Sequence, residues 1–329
     1  MYERKRNGKT SAVFSTGRWT RPFFSGIIKA DISELSARFV TFYNVYSWMC
    51  ICKAVDILLF DDGKAVNMIN ELFKKLSEFE QVEAIALGGS RSGENYDEKS
   101  DYDVYVYITA PIEEESRRAL LADYCKYMEI GNHYWEYEDN CVLNNGIDID
   151  ILYRDLDEFC GGVASVAEKF EAHNGYTTCM WHNLLTCKII CDKRGRLQSA
   201  KDRFSVPYPD ELRNNIIRRN TNLLYNAMPA YSLQLKKANG RNDRVSVVHR
   251  TAAFLESYFD VIFALNRLTH PGEKRLVGLC AQNCKLLPER FEENLNRLFY
   301  DMLTHSDRLT DDLNDIISEL KSVLTREGF

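Results

Sequence analysis

Two short stretches have residue types and spacing that can do chemistry: Gly88-Gly89-Ser90-Arg91-Ser92, and Ser100-Asp101-Tyr102-Asp103 shortly after it. Glycines let a backbone approach phosphate oxygens closely and present its N–H groups to them. Ser90 adds a hydroxyl donor, and Arg91 adds a cation suited to phosphate. Asp101 and Asp103 are two apart, which on a strand puts both carboxylates on one face with α-carbons about 6.6 Å apart. Without cations they repel and raise each other's pKa. A divalent metal removes that penalty, and hard oxygen donors suit magnesium. Together the two stretches can hold a nucleoside triphosphate and its metal ions.

The surrounding sequence supplies elements to position them. Val82–Leu87 is a short apolar run ending in the glycine pair, which reads as a buried strand entering a tight turn. From Asp101 to Ile108 the side chains alternate. Val104, Val106 and Ile108 face one way, and Asp101, Asp103, Tyr105 and Tyr107 the other. A third carboxylate is expected from a neighbouring strand. The run Gly146 to Tyr153 places Asp148 and Asp150 on the face opposite Ile147, Ile149 and Ile151. Either can complete a two-metal site. Asp150 is favoured because Ile151-Leu152-Tyr153 follow it, so it lies deeper in the strand.

GGSRS, then SDYD, then IDIDILY together resemble the nucleotidyltransferase superfamily related to DNA polymerase β. From Met68 onward the chain is similar to a two-domain bacterial group within it, which includes relatives of antibiotic nucleotidyltransferases. Gly175–Asn183 (GYTTCMWHN) and His270–Arg275 (HPGEKR) share in that likeness. The resemblance implies an α+β fold: a small mixed-sheet nucleotidyltransferase domain over 68–160, then an all-α helical bundle over 161–329 of uncharacterised role. It implies that Gly88, Gly89, Ser90, Arg91 and Ser100 bind the nucleotide. It also implies that Asp101 and Asp103 coordinate two magnesium ions, and that Asp150 holds the catalytic metal and helps deprotonate the attacking hydroxyl. The implied reaction is transfer of a nucleoside monophosphate, AMP from ATP or from another triphosphate, to a hydroxyl of an antibiotic-like small molecule, releasing pyrophosphate. A protein hydroxyl acceptor and a non-catalytic nucleotide-binding regulator are the alternatives.

Elsewhere, Ile112–Met128 reads as a helix with Glu113, Glu114 and Glu115 in its first turn, where the dipole favours acids. His133–Glu138 reads as a strand near the site, with Glu136 or Glu138 in reach of an acceptor. In the second half, Asp155–Phe170, a segment after Pro207 and Pro209 to about Asn226, Arg244–Leu268, Pro288–His305 and Asp307–Arg326 read as helices. Lys188–Cys191 reads as a short strand. Arg244–Leu268 shows an apolar stripe through Val245, Val248, Ala252, Leu255, Phe259, Ile262 and Leu265. His182, Asn183, Lys188, Arg244, His249, Lys274 and Arg275 are the polar candidates for choosing an acceptor, whereas Tyr258, Phe259 and Phe263 read as core.

Composition limits the partners. Residues 1–67 hold ten Lys/Arg against six Asp/Glu, and the rest hold 32 against 42. An acidic body argues against sequence-independent nucleic-acid binding, which needs many phosphate-neutralising cations. The ten cysteines include no CxxC pair and read as reduced thiols of a cytoplasmic protein. Phe39–Phe60 is fairly apolar, but Asn44, Lys53 and Asp56 interrupt it and argue against a membrane span. Residues 1–67 lack any sustained period and stand outside the resemblance. One permitted coding of Gly63–Met68, GGA AAG GCG GTG AAT ATG, contains a purine-rich run ahead of ATG. It leads to the expectation that translation starts at Met68.

Overall fold

The computed structural model describes residues 67–92 and 100–329. The expectations for the N-terminal stretch, including the apolar run Phe39–Phe60, fall outside them. Helix α1 (67–77) buries Ile69, Leu72, Phe73 and Leu76, the face its spacing predicts. Six strands follow: β1 (Val82–Leu87), β2 (Tyr102–Ile108), β3 (Cys125–Asn132), β4 (Glu138–Leu143), β5 (Asp148–Arg154) and β6 (Lys188–Asp192). They form one sheet in the order β3-β4-β5-β2-β1-β6. All neighbours are antiparallel except β2 and β5, which are parallel. The edge strand β6 comes from beyond residue 160, so the sheet draws on both expected halves of the chain.

The period-two alternation assigns the two faces of the sheet. On one, Ile85, Leu87, Tyr102, Val104, Val106, Ile108, Ile149, Ile151 and Tyr153 pack with α1 and with Leu121 of α2 (Glu114–Leu121). On the other, Ala84, Ala86, Tyr105 and Tyr107 join the core of the helices that follow. The small Ala84 and Ala86 make room there for the two tyrosines, which lie opposite them in the pairing of β1 with β2.

Two expectations need correction. The helix expected to reach Met128 ends at Leu121, and Cys125–Asn132 is an edge strand. Leu120, Tyr124 and Met128 have helical spacing and all touch the core, but they do so from a helix, a turn and a strand. The strand expected at His133–Glu138 is instead the connection of the β3–β4 hairpin, with only Glu138 in β4.

The remainder is helical: α3 (Leu156–Ala167), α4 (Cys179–Thr186), α5 (Arg196–Phe204), α6 (Asp210–Thr221), α7 (Tyr231–Gly240), α8 (Arg244–Leu265), α9 (Leu276–Asn283), α10 (Phe291–Thr304) and α11 (Leu309–Arg326). Asp155 caps α3 by accepting from the Glu158 N–H at 2.8 Å. Helix α8 is the centre of the bundle, and every residue from Ser257 to Leu265 is buried. Its N-terminal half turns a different stripe inward from the expected one: Val247, Thr251 and Phe254 are buried, whereas Val245 and Val248 are exposed. The tyrosine and phenylalanines at 258, 259 and 263 are core, as expected. Among the described residues no helix is long and apolar enough to cross a membrane, and all the described cysteines are free.

Candidate active site

The parallel pairing of β2 with β5 sets Asp103 directly opposite Asp150. Both point to the face away from α1, because Val104 and Ile151 are committed to the apolar side. Asp150 continues into a polar row across the sheet. Its Oδ1 accepts from Asn140 Nδ2 at 2.8 Å, and Asn140 Oδ1 accepts from Asn132 Nδ2 at 2.6 Å. Asp101 lies just before β2, and Asp148 sits exposed at the entrance of β5. The structure thus brings Asp103 and Asp150 side by side, with Asp101 at the rim.

The glycine pair is fitted onto this face. The Gly88 N–H donates to the Asp103 carbonyl at 2.8 Å. A methyl group on Gly88 would collide with the Tyr105 ring, and one on Gly89 would run into Asp103 Oδ2. Gly89 also has φ +57°, where a side chain is strained. Both glycines are therefore required by close approach: the turn lies against the carboxylate and the tyrosine beneath it. Ser90 follows in a single 3₁₀ turn, Ser90–Ser92.

Arg91 is placed differently from the expectation that it faces phosphate. Its Nε donates to the Ser100 carbonyl at 2.7 Å, and its guanidinium lies 3.9 Å from the centre of the Tyr102 ring, a residue of the opposite, apolar face. It clasps the two ends of the segment between the motifs.

Burial raises the Asp103 carboxyl above its ordinary range, with Asp101 and then Asp150 adding repulsion and Lys274 and Arg154 opposing it. No hydrogen bond or ion pair among the described residues reaches the Asp103 carboxylate. The donor set, Asp103 and Asp150 on adjacent strands with Asp101 just before one of them, suits a hard divalent cation by type and by backbone placement. The side chains do not already form a cage: among the described residues no three His, Cys, Asp or Glu groups converge on one point.

Several groups around the site were not singled out in the sequence. Arg154 stacks over Tyr105 at 4.2 Å and Phe159 at 5.2 Å, and it pairs with Glu136 through two 2.7 Å hydrogen bonds. Its alternation with Asp150 along β5 is the signal that could have found it. Of the polar candidates in the second half, Asn183 donates to the Tyr105 hydroxyl at 2.7 Å, and His182 Nδ1 meets Thr269 Oγ1 at 2.8 Å. Lys274 reaches within 4.0 Å of Asp101 Oδ2. Lys188, Arg244, His249 and Arg275 are exposed, and no contact places them at the carboxylates.

Residues 69–173 match the family model of the nucleotidyltransferase domain, and residues 176–275 match a domain of unknown function (DUF4037). Over residues 69–173 the chain is therefore similar to nucleotidyltransferase domains. Among solved structures it is similar to a nucleotidyltransferase-like protein from Exiguobacterium sibiricum, at 9% identity, TM-score 0.37, and 78% and 72% coverage of the two chains. It is also similar to an aminoglycoside 6-adenyltransferase from Bacillus subtilis, at 10% identity, TM-score 0.26, and 78% and 90% coverage. None of the curated proteins compared matches the chain.

Proposed function

We propose that this protein transfers a nucleoside monophosphate, AMP from ATP, to a hydroxyl of a small-molecule acceptor with magnesium present, releasing pyrophosphate. The observation that carries the reading is the opposition of Asp103 and Asp150 beneath the Gly88–Gly89 turn, in a chain whose residues 69–173 match the nucleotidyltransferase family.

In this reading the turn's backbone N–H groups, with Ser90 and Ser100, take the triphosphate. Asp101, Asp103 and Asp150 would hold the metal ions. Two such ions, when bound, stabilise the attacking and the leaving oxygens of an in-line displacement. Asp150 lies on the acceptor side and draws the proton of the attacking hydroxyl. Asn140 fixes the carboxylate rotamer of Asp150 through their hydrogen bond. The row of Asn140 and Asn132 extends from Asp150 and offers an acceptor amide partners, with Glu138 buried behind it. Residues 68–160 serve as the catalytic domain and 161–329 as the acceptor-selecting domain, which lends β6 to the catalytic sheet.

The test is incubation with α-labelled ATP and magnesium against a panel of hydroxylated acceptors and cell extract, reading pyrophosphate release and label transfer. Transfer to a small molecule supports the reading. Label on protein alone moves the acceptor to a protein hydroxyl. Nucleotide binding with no pyrophosphate from any arm overturns the catalytic assignment.

A further inference from the structure

Tyr105 joins parts of the molecule that are distant in sequence. Ala84, Ala86 and Gly88, at every second position, form a row of small residues along β1 and its exit. Tyr105 lies opposite Ala86 in the pairing of β2 with β1, and its ring reaches along that row to Gly88. The three atoms nearest a methyl group placed on Gly88 would all belong to Tyr105, its hydroxyl oxygen among them. Gly88 has no positive φ, so its backbone conformation admits a side chain. What excludes one is the tyrosine. The glycine turn therefore rests directly on this ring.

The ring is itself held. Arg154 covers its face at 4.2 Å and is tied in turn to Glu136. The hydroxyl accepts from Asn183 Nδ2 at 2.7 Å. Burial raises the phenol above its ordinary value and so keeps it neutral. Asn183 belongs to α4, whose place is fixed by its neighbours. Trp181 and Leu184 are buried, Trp181 Nε1 donates to the Phe204 carbonyl at 2.9 Å, and His182 Nδ1 meets Thr269 Oγ1 at 2.8 Å.

A buried tyrosine hydroxyl needs a partner in any protein, so the Asn183 bond alone would show only a satisfied core. The contact with Gly88 adds a second role. The Gly88 N–H donates to the Asp103 carbonyl at 2.8 Å, so the backbone that the ring supports is the one that faces the carboxylates. Close-packed groups pass a displacement to whatever they touch. A shift of the ring is a shift of the turn.

We propose that Tyr105 is the positioning residue of the glycine turn and that Asn183 acts through it. The helical half then sets how far the turn stands from Asp103, as well as facing the acceptor. This rests on the nucleotidyl-transfer reading. Neither side chain touches the nucleotide in this role.

Calorimetric titration of the full chain with magnesium α,β-methylene-ATP tests it, at a temperature where circular dichroism shows each variant folded. Tyr105→Phe keeps the ring and loses the hydroxyl, and Asn183→Ala loses the amide. Each should weaken analogue binding about fivefold, within the range of one lost hydrogen bond. The double variant should match the weaker single to within about twofold, because both changes break one connection. Gly88→Ala should weaken binding about 30-fold, as a methyl forced into a filled site does. Adding Tyr105→Leu to Gly88→Ala should recover about tenfold of that loss, although Tyr105→Leu alone weakens binding. Packing without positioning predicts additive losses in both pairs. Additive losses for Tyr105→Phe and Asn183→Ala overturn the link between them. A Gly88→Ala defect that Tyr105→Leu does not relieve overturns the positioning role. Either result, with wild-type binding intact, leaves nucleotidyl transfer standing. A wild-type protein that binds no analogue removes that reading and this proposal with it.

Discussion

Asp139 and Asp103 are both aspartates of the same sheet, and they live under opposite conditions. Asp139 faces the apolar side and is fully buried. Its Oδ1 accepts from Arg117 Nη1 and from the Gly131 N–H at 2.9 Å, and its Oδ2 accepts from the Tyr153 hydroxyl at 2.9 Å. Asp103 faces the other side, beside Asp150 and Asp101, and is reached by none of these partners. A carboxylate that only holds a fold together is surrounded by donors. One left short of positive charge, with like charges beside it, is what the proposed function needs for a cation that comes from outside. In the proposed reading the two faces of one sheet thus separate stability from chemistry, on strands two apart.

The largest effect that tests this contrast is on transfer. Asp103→Ala or Asp150→Ala should lower it about 10⁴-fold, equivalent to ~5.4 kcal/mol, with the circular dichroism spectrum and Tm retained. Loss of fold in both would erase the distinction drawn from Asp139. The mirror experiment, Arg117→Met, leaves the Asp139 charge buried without its cation. It should cost about 3–5 kcal/mol of unfolding free energy in urea titration. Gly89→Ala pushes on Asp103 Oδ2 at a positive φ. It should reduce transfer about 10²-fold, as misplacement of a reacting group by about 1 Å does, with a smaller loss of stability.

A third aspartate extends the comparison into the helices. Burial pushes the Asp260 carboxyl up to about 7, although Thr177 and Asn220 donate to it. A carboxyl raised above its unfolded value stabilises the fold in its neutral form. That contribution is full below about pH 4 and is lost as pH rises through about 7. Asp260→Asn cannot titrate, so its unfolding free energy should fall less between pH 5 and pH 8 than that of the wild type. The slopes should differ by up to about 1.4 kcal/mol per pH unit. Identical slopes would show that Asp260 does not carry this term.

The sequence was most legible where a period and a buried face coincided. Strand β5 opens by alternating isoleucine with aspartate, β2 alternates Val104, Val106 and Ile108 with Asp103, Tyr105 and Tyr107, and one register of each pattern buries the valines and isoleucines. Asp103 and Asp150 had to share a face, and they do. Edge strand β3 was not legible, because it has one neighbour and a ragged burial pattern, so Leu120, Tyr124 and Met128 mimicked a helical stripe. The outward turn of Val245 and Val248 was hidden for a related reason: which side of α8 is inside depends on where α6 and α7 pack. Arg91 read as a phosphate ligand by proximity in sequence, whereas its stacking on Tyr102 depends on tertiary placement. Lys274 lay far along the chain, and only folding brings it to Asp101.

The parallel pairing of β2 and β5 has an architectural consequence. Parallel neighbours cannot be joined by a tight turn, and here the chain uses the excursion to build α2 and the β3–β4 hairpin before returning. The excursion supplies its own sheet edge and its own internal tie, Arg117 to Asp139, so it behaves as a cassette plugged into a fixed socket. At its tip Tyr134 and Trp135 stand 82% and 90% exposed, whereas Glu136 beside them reaches back to Arg154 on β5 and ties the hairpin to the site. The two exposed rings are therefore held at a fixed distance from the carboxylates by that ion pair.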